Sequence, residues 1–98
     1  MDDPKLAALY AEATRHVGAL VAALRTHGGT AFVPYFERIA ACLEARDAEG
    51  AQRARESIPY PNMGGYIDYV TSAPELQRLD GAAQRALGAL KIHSRYGL

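Results

Sequence analysis

The sequence predicts an all-α fold: a single-domain bundle of three to four helices, with an ordered loop rich in Pro, Gly and Tyr before the last helix. Three observations support this prediction. Apolar residues recur at intervals of three and four along most of the chain, capping and stop signals separate these stretches, and turn-forming residues concentrate in one segment, 57–75. A chain of 98 residues can build one core, so we expect a single domain over residues 1–98.

The first helix is predicted over Pro4–His27. Asp2 or Asp3 is the expected N-cap, and the glycine pair at 28–29 is a stop signal. Residues at helical spacing form one apolar face. They are Leu6, Leu9, Ala13, Val17, Leu20 and Leu24.

The second helix is predicted over Ala31–Arg46, with Thr30 as its N-cap and Pro34 in its first turn, where a missing N–H costs little. The short glycine connection favours an antiparallel hairpin with the first helix. The predicted apolar stripe is Phe32, Phe36, Ile39 and Leu43.

A shorter third helix is predicted in "ARDAEGAQRARESIP", with Asp47 as its N-cap and Pro59 just past its end. It is poor in large apolar side chains, so we expect a thin and mostly exposed layer. Its buried stripe is predicted to be Ala51, Ala54 and Ile58.

The last helix opens with "SAPE", where Ser72 and Glu75 have the spacing of a capping box and Pro74 falls in the first turn. Gly81 and Gly88 either weaken this helix or allow another helix to approach closely. The predicted apolar face is Leu76, Leu79, Ala83, Leu87 and Leu90.

The segment "SIPYPNMGGYIDYVTSAPE", Ser57–Glu75, differs from the rest of the chain because it holds three prolines, two adjacent glycines and three tyrosines. Its part "GYIDYV" favours a loop with one helical turn over a strand, because a lone strand would have no partner. The tyrosines suit two roles. They either fill gaps between thinly packed helices or form a contact surface. Asp68 either bonds loop N–H groups or belongs to that surface.

Charge and composition limit the classes of partner. Lys+Arg and Asp+Glu both count 11, which argues against a dedicated nucleic-acid binder and against charge-driven membrane attachment. Near-zero net charge favours a protein partner or a homodimer. The polar N-terminus and the lack of long apolar runs predict a cytoplasmic protein. The single cysteine, Cys42, excludes an internal disulfide and a cysteine-based zinc site.

No catalytic or metal-binding pattern emerges from the remaining polar residues. His16, His27 and His93 have no histidine partner three or four positions away, so no helical metal site is predicted. His27 and His93 fall near helix C-termini, where they favourably meet the helix dipole and free carbonyls. Cys42 is expected to be a buried, inert thiol. We therefore expect no cofactor and no enzymatic activity.

Three stretches carry a family resemblance: "LRTHG", "YFERIAACLEARDAEGAQRARESI" and "NMGGYIDYV". They resemble a group of small bacterial proteins in which a Gly-Asp turn follows the second helix and a loop of the form Gly-Met-Gly-Ser-x-x-Asp precedes the last. Met63, Gly64 and Asp68 match that loop, while Asn62 and Gly65 depart from it. The sequence "ARD" at 45–47 replaces the glycine-aspartate turn.

The layout also resembles small helical immunity proteins, including those that neutralise type VI secretion effectors. This resemblance implies a cytoplasmic, non-enzymatic protein that binds a cognate toxin. The loop and the neighbouring polar helix faces are the implied contact surfaces. The alternative is a small-molecule-binding protein or small enzyme with a pocket under residues 60–69. The predicted contact residues are Tyr60, Asn62, Met63, Gly64, Tyr66, Asp68 and Tyr69.

Overall fold

Helices dominate the computed structural model, which describes residues 3–58 and 65–97, except for the side chain of Asp68. These residues contain no β-strand, and the all-α prediction is confirmed. Four helices have nine or more residues, and a helix of five residues precedes the last. In chain order they are α1 (Pro4–Thr26), α2 (Val33–Glu44), α3 (Ala48–Glu56), α4 (Tyr66–Val70) and α5 (Pro74–Tyr96).

The two longest helices, α1 and α5, have 23 residues each and pack side by side in opposite directions. Their antiparallel arrangement brings Asp3 next to His93 at one end and His27 next to Glu75 at the other. Helices α2 and α3 pack on each other and complete the bundle. The molecule is elongated, 45 × 21 × 20 Å, because the α1–α5 pair sets its length.

The start and end of α1 follow the sequence signals. The Asp3 carboxylate accepts a hydrogen bond from the Leu6 backbone N–H at 3.1 Å, as expected of an N-cap. After the helix, Gly28 has a left-handed φ of 81°, and the Gly29 N–H donates to the Leu24 carbonyl at 2.7 Å. This six-to-one bond is typical of a Schellman motif, which turns the chain back toward α2.

The turn between α2 and α3 repeats that motif without a glycine. Arg46 occupies the left-handed position with a φ of 59°, and the Asp47 N–H donates to the Cys42 carbonyl at 2.8 Å. The Arg46 guanidinium lies 4.8 Å from the centre of the Tyr10 ring, a cation–π contact that offsets the backbone strain. Asp47 then caps α3 by accepting from the Gly50 N–H at 2.8 Å, as predicted.

Two predicted N-caps are wrong. Helix α2 begins at Val33, and the Thr30 carbonyl accepts the Val33 N–H at 3.3 Å inside a preceding turn. At α5 the N-cap position belongs to Ala73, and the Ser72 hydroxyl instead donates to the carbonyl of Tyr69. The capping box fails because α4 ends immediately before it and takes Ser72 into its own C-terminal turn.

The core combines one face of every helix. The predicted stripes of α1, α2, α3 and α5 are buried or partly buried. Six further buried residues lie outside those stripes: Tyr10, Ala23, Val33, Tyr66, Val70 and Ala86. The buried residues are Tyr10, Ala13, Val17, Leu20, Ala23, Leu24, Val33, Phe36, Ile39, Leu43, Ala51, Ala54, Ile58, Tyr66, Val70, Leu76, Ala83, Ala86, Leu87 and Leu90.

Close approach occurs at glycines other than the two predicted for it. A Cβ at Gly88 would have no neighbour within 4 Å, and one at Gly81 would meet only the tip of the Arg85 side chain at 3.3 Å. In contrast, a Cβ at Gly50 would lie 3.1 Å from the Cys42 sulfur, so α2 and α3 approach closely there. The Cys42 side chain is partly buried at this contact.

Candidate functional site

Four of the seven predicted contact residues, Tyr60, Asn62, Met63 and Gly64, lie outside the described residues, and their role stays a prediction. The other three, Tyr66, Asp68 and Tyr69, belong to α4. The candidate site therefore consists of α4 and the elements that contact it.

Helix α4 is one and a half turns long, and local hydrogen bonds close both of its ends. The Tyr69 N–H donates to the Gly65 carbonyl at 3.2 Å. At the other end the Thr71 hydroxyl donates to the Ile67 carbonyl at 2.8 Å. A helix this short is not stable alone, so its stability must come from tertiary contacts.

Tyr66 supplies the first of these contacts. Its side chain is 0% exposed, and its ring lies 5.2 Å from that of Phe32, edge to face, and 5.3 Å from that of Phe36. The phenol O–H donates to a carboxylate oxygen of Asp80 at 2.8 Å, so the buried hydroxyl is satisfied. Tyr66 is thus a core residue, which corrects its assignment to a contact surface.

Tyr69 supplies the second contact and is half-buried. Its ring lies 5.4 Å from that of Phe32, and its O–H donates at 2.7 Å to the backbone carbonyl of His27. That carbonyl follows the last turn of α1, where backbone acceptors lack helical partners. A Cβ at Gly29 would fall 2.6 Å from the Tyr69 ring, so only glycine lets the ring lie this close.

Ile67 points away from the core that its neighbours enter. Tyr66 and Val70 are buried, whereas 48% of Ile67 is exposed. It is one of three large apolar side chains that are exposed in the described part of the chain. The prediction missed this residue, although helical spacing carries the signal. If positions 66 and 70 of a short helix face inward, position 67 faces solvent.

A histidine–carboxylate contact and an ion pair flank this region. His27 Nε2 lies 3.2 Å from a Glu75 oxygen, which joins the end of α1 to the start of α5. Arg25 and Glu37 pair at 2.9 Å between α1 and α2, and both side chains are more than half exposed. Exposed pairs of this kind contribute on the order of 0–1 kcal/mol each, so packing of the aromatic rings is the larger contribution.

The described residues contain no cluster of three or more His, Cys, Asp or Glu side chains able to hold a metal ion. An open groove of about 230 Å³ runs between α1 and α5, away from α4. Half of the residues under which a pocket is predicted, 60–64, lie outside the described ranges, and that pocket stays a prediction.

Comparison of the chain with protein-family models, curated proteins and solved structures gives no match. The resemblance to small helical immunity proteins therefore stays a prediction. Within residues 3–58 and 65–97, no helix combines the length and hydropathy that a membrane crossing requires.

The site thus consists of a short helix that two tyrosines attach to the bundle. Tyr66 joins α4 to α2 and α5, and Tyr69 joins it to the turn after α1. Both hydroxyls are occupied by intramolecular hydrogen bonds. The apolar side chain left free to contact another molecule is that of Ile67.

Proposed function

We propose that the protein is an immunity protein that neutralises a cognate bacterial toxin by binding the toxin. The contact surface would be α4 and the loop that precedes α4. A toxin of the class delivered by type VI secretion fits this proposal. One observation supports this proposal most directly: Ile67 is half-exposed on a short helix. Tyr66 and Tyr69 of that helix are hydrogen-bonded to the rest of the bundle. In this proposal the protein is cytoplasmic, and the toxin would act in the same compartment.

The geometry of α4 favours tight binding for a physical reason. Ordering a flexible segment on association costs free energy, and a segment already ordered avoids that cost. Tyr66 and Tyr69 fix α4 before any partner arrives. Ile67 then offers apolar area that a pocket of the partner can bury, as interface cores do.

Charge has a smaller role in this proposal. The chain has a formal net charge of zero, so long-range steering toward a partner is weak. Binding would depend on shape and apolar contact at the loop and α4, with the Arg25–Glu37 and His27–Glu75 pairs at the rim.

Growth rescue tests the proposal. A toxin encoded beside this gene is expressed in a bacterial host, together with this chain or with a variant of it. We expect the unchanged chain to restore growth. Ile67→Glu should abolish rescue and weaken toxin binding by about thirtyfold or more, as the loss of a central interface anchor does.

Ile92→Glu is the matched control. Ile92 is 47% exposed, against 48% for Ile67, but lies near the far end of α5. It should leave rescue intact. Failure of the unchanged chain to neutralise any adjacent toxin would refute the proposed function. Equal rescue by both variants would place the interface elsewhere, with the polar side of α3 next to be tested: Gln52, Arg53 and Glu56.

A further inference from the structure

A chain of hydrogen bonds joins α3 to α4 by way of α5. The Arg55 guanidinium, near the end of α3, donates through Nε to the side-chain oxygen of Gln84 in α5. The Gln84 amide nitrogen lies 3.5 Å from a carboxylate oxygen of Asp80, one turn earlier in α5. The same oxygen accepts the 2.8 Å hydrogen bond from the Tyr66 hydroxyl of α4. We call these four residues the polar relay.

The polar relay lies at positions that are shielded from solvent to different degrees. Arg55, Asp80 and Gln84 are each partly buried, and the Tyr66 side chain is fully buried. Water competes less for these hydrogen bonds than it does at an exposed site, and neighbouring bonds in a network reinforce one another. The polar relay therefore influences the position of its ends more than an exposed surface pair would.

The two neighbours of Gln84 fix the orientation of its amide group. A guanidinium only donates hydrogen bonds, and an ionised carboxylate only accepts them. An amide does both, so Gln84 can join Arg55 to Asp80 with its oxygen toward the guanidinium and its nitrogen toward the carboxylate. Glutamate at position 84 would keep the acceptor for the guanidinium but lose the donor toward the carboxylate.

We propose that Gln84 is a positioning residue for α4, and that the polar relay couples the end of α3 to the helix that carries Ile67. Because α4 has five residues, it depends on tertiary contacts such as the bond from Tyr66 to Asp80. Gln84 holds the Asp80 carboxylate where the Tyr66 hydroxyl meets it. A change at Arg55 or Gln84 therefore alters how α4 presents Ile67, although neither residue belongs to α4.

The consequence for toxin binding rests on the proposed function, whereas the coupling of α3 to α4 does not. Two measurements keep them apart. Hydrogen exchange of the chain alone reports how firmly α4 is held, with no toxin present. Toxin affinity reports what this adds to binding, because a contact helix that is already ordered avoids the cost of ordering.

Gln84→Glu tests the coupling, because it keeps the size and the acceptor oxygen of the side chain while placing a second carboxylate beside Asp80. The backbone N–H groups of Tyr69 and Thr71, which donate to carbonyls of α4 and its N-cap, should exchange up to about tenfold faster. Amides in the middle of α1, such as that of Leu20, report opening of the whole fold and should change much less.

A compensating substitution separates the polar relay from other effects of the new charge. Asp80→Asn in the Gln84→Glu chain supplies an acceptor for Tyr66 and a donor toward position 84, so most of the protection of α4 should return. Asp80→Asn alone keeps the acceptor for Tyr66 and should have a smaller effect than Gln84→Glu. Gln77→Glu is the matched control, because Gln77 is exposed on the same helix, and it should leave exchange in α4 unchanged.

Toxin binding should respond less strongly than exchange. Gln84→Glu leaves the Ile67 anchor in place, and affinity falls only as the undocked state of α4 becomes populated. We therefore expect a smaller loss of affinity for Gln84→Glu than for Ile67→Glu, measured by titration calorimetry with the same toxin.

Three results would overturn the coupling. These are unchanged exchange in α4 of the Gln84→Glu chain, equal acceleration in α4 and α1, and faster exchange that Asp80→Asn fails to reverse. If toxin is bound but any of these occurs, the coupling fails and the proposed function stands. If α4 alone exchanges faster but the unchanged chain binds no toxin, the proposed function fails and the coupling stands.

Discussion

The two ends of the α1–α5 pair are closed by the same chemistry in different surroundings. At the loop end, where α4 packs, His27 pairs with Glu75, and the His27 side chain is 33% exposed. At the terminal end, where α1 begins and α5 ends, His93 pairs with Asp3 at 2.9 Å, and only 9% of the His93 side chain is exposed. Each end joins a histidine near one helix C-terminus to a carboxylate near the other helix N-terminus.

The difference lies in what else each end contains. The loop end has an aromatic cluster of Phe32, Phe36, Tyr66 and Tyr69. The exposed His27–Glu75 contact therefore adds little to the stability of that end. The terminal end has no such ring cluster among the described residues. There Asp3 both caps α1 and accepts from His93. Burial of the neighbouring groups, and not the pair itself, therefore decides whether such a contact is structurally important.

The largest expected loss of stability comes from a substitution at the loop end. Tyr66→Ala removes a fully buried ring and its hydrogen bond to Asp80, and should lower the free energy of unfolding by about 3–5 kcal/mol. Tyr96→Ala at the terminal end is the control. Its ring is 69% exposed, so the change should stay within about 0.5 kcal/mol. Urea unfolding of both variants measures the difference, and similar losses would contradict the assigned burial.

A second test isolates the Tyr69 contact. Gly29→Ala would place a Cβ against the Tyr69 ring, and we expect a loss of about 1–3 kcal/mol from this overpacking. The loss should shrink in a Tyr69→Ala background, because the obstructing ring is gone. A double-mutant cycle from denaturant unfolding gives the coupling. Additive effects would show that Gly29 acts through its backbone alone.

A smaller effect is expected in the middle of α5, between the two ends. Gly88 lies within α5, and a Cβ there would have no neighbour within 4 Å. Gly88→Ala should therefore raise the free energy of unfolding by up to about 1 kcal/mol, because alanine favours the helix more than glycine does. Thermal melting measures the gain. A lower melting temperature would indicate a packing role for Gly88.

The smallest expected effect lies at the terminal end and disappears in acid. The hydrogen bond from His93, followed by that from the Leu6 N–H, lowers the pKa of Asp3 below its ordinary value. A carboxylate with a lowered folded-state pKa stabilises the fold above its unfolded pKa of about 3.9, and this is lost as pH falls through the folded pKa. Asp3→Asn, which keeps a capping side chain, should therefore be less stable than the unchanged chain above about pH 4.

The stability difference between the two proteins should close below that pH. Denaturant unfolding from pH 7 to pH 2 measures it. His93→Gln in both proteins should reduce the difference, because it removes the main cause of the lowered pKa. A difference that persists unchanged at pH 2 would mean that the Asp3 charge has no part in it.

Helix order, the core stripes and two N-caps were predictable from the sequence because each depends on residues within one or two helical turns. Asp3 and Asp47 cap the helices that follow them, as predicted. The buried faces of α1 and α5 follow from spacing alone. The two failed caps, Thr30 and Ser72, stand where another turn competes for the same groups.

The candidate site was predictable as a segment but not residue by residue. Local composition marked the tyrosines, yet the sequence left open whether they were packed or exposed. Contacts with residues distant in the chain settled it. Tyr66 bonds Asp80, and Tyr69 bonds the carbonyl of His27, 42 positions earlier. Ile67 is exposed because Tyr66 and Val70 of the same short helix face the core.

Spacing, caps and glycine stops act over a few residues, so local sequence was enough to predict the helical fold, the start and end of α1, and the faces that the long helices bury. Local sequence could not predict which tyrosine is core, which histidine is buried or which glycine lies against an aromatic ring. Those outcomes depend on which helices meet. Long-range packing buries His93 beside Asp3, leaves His27 partly exposed beside Glu75, and brings the Tyr69 ring onto Gly29.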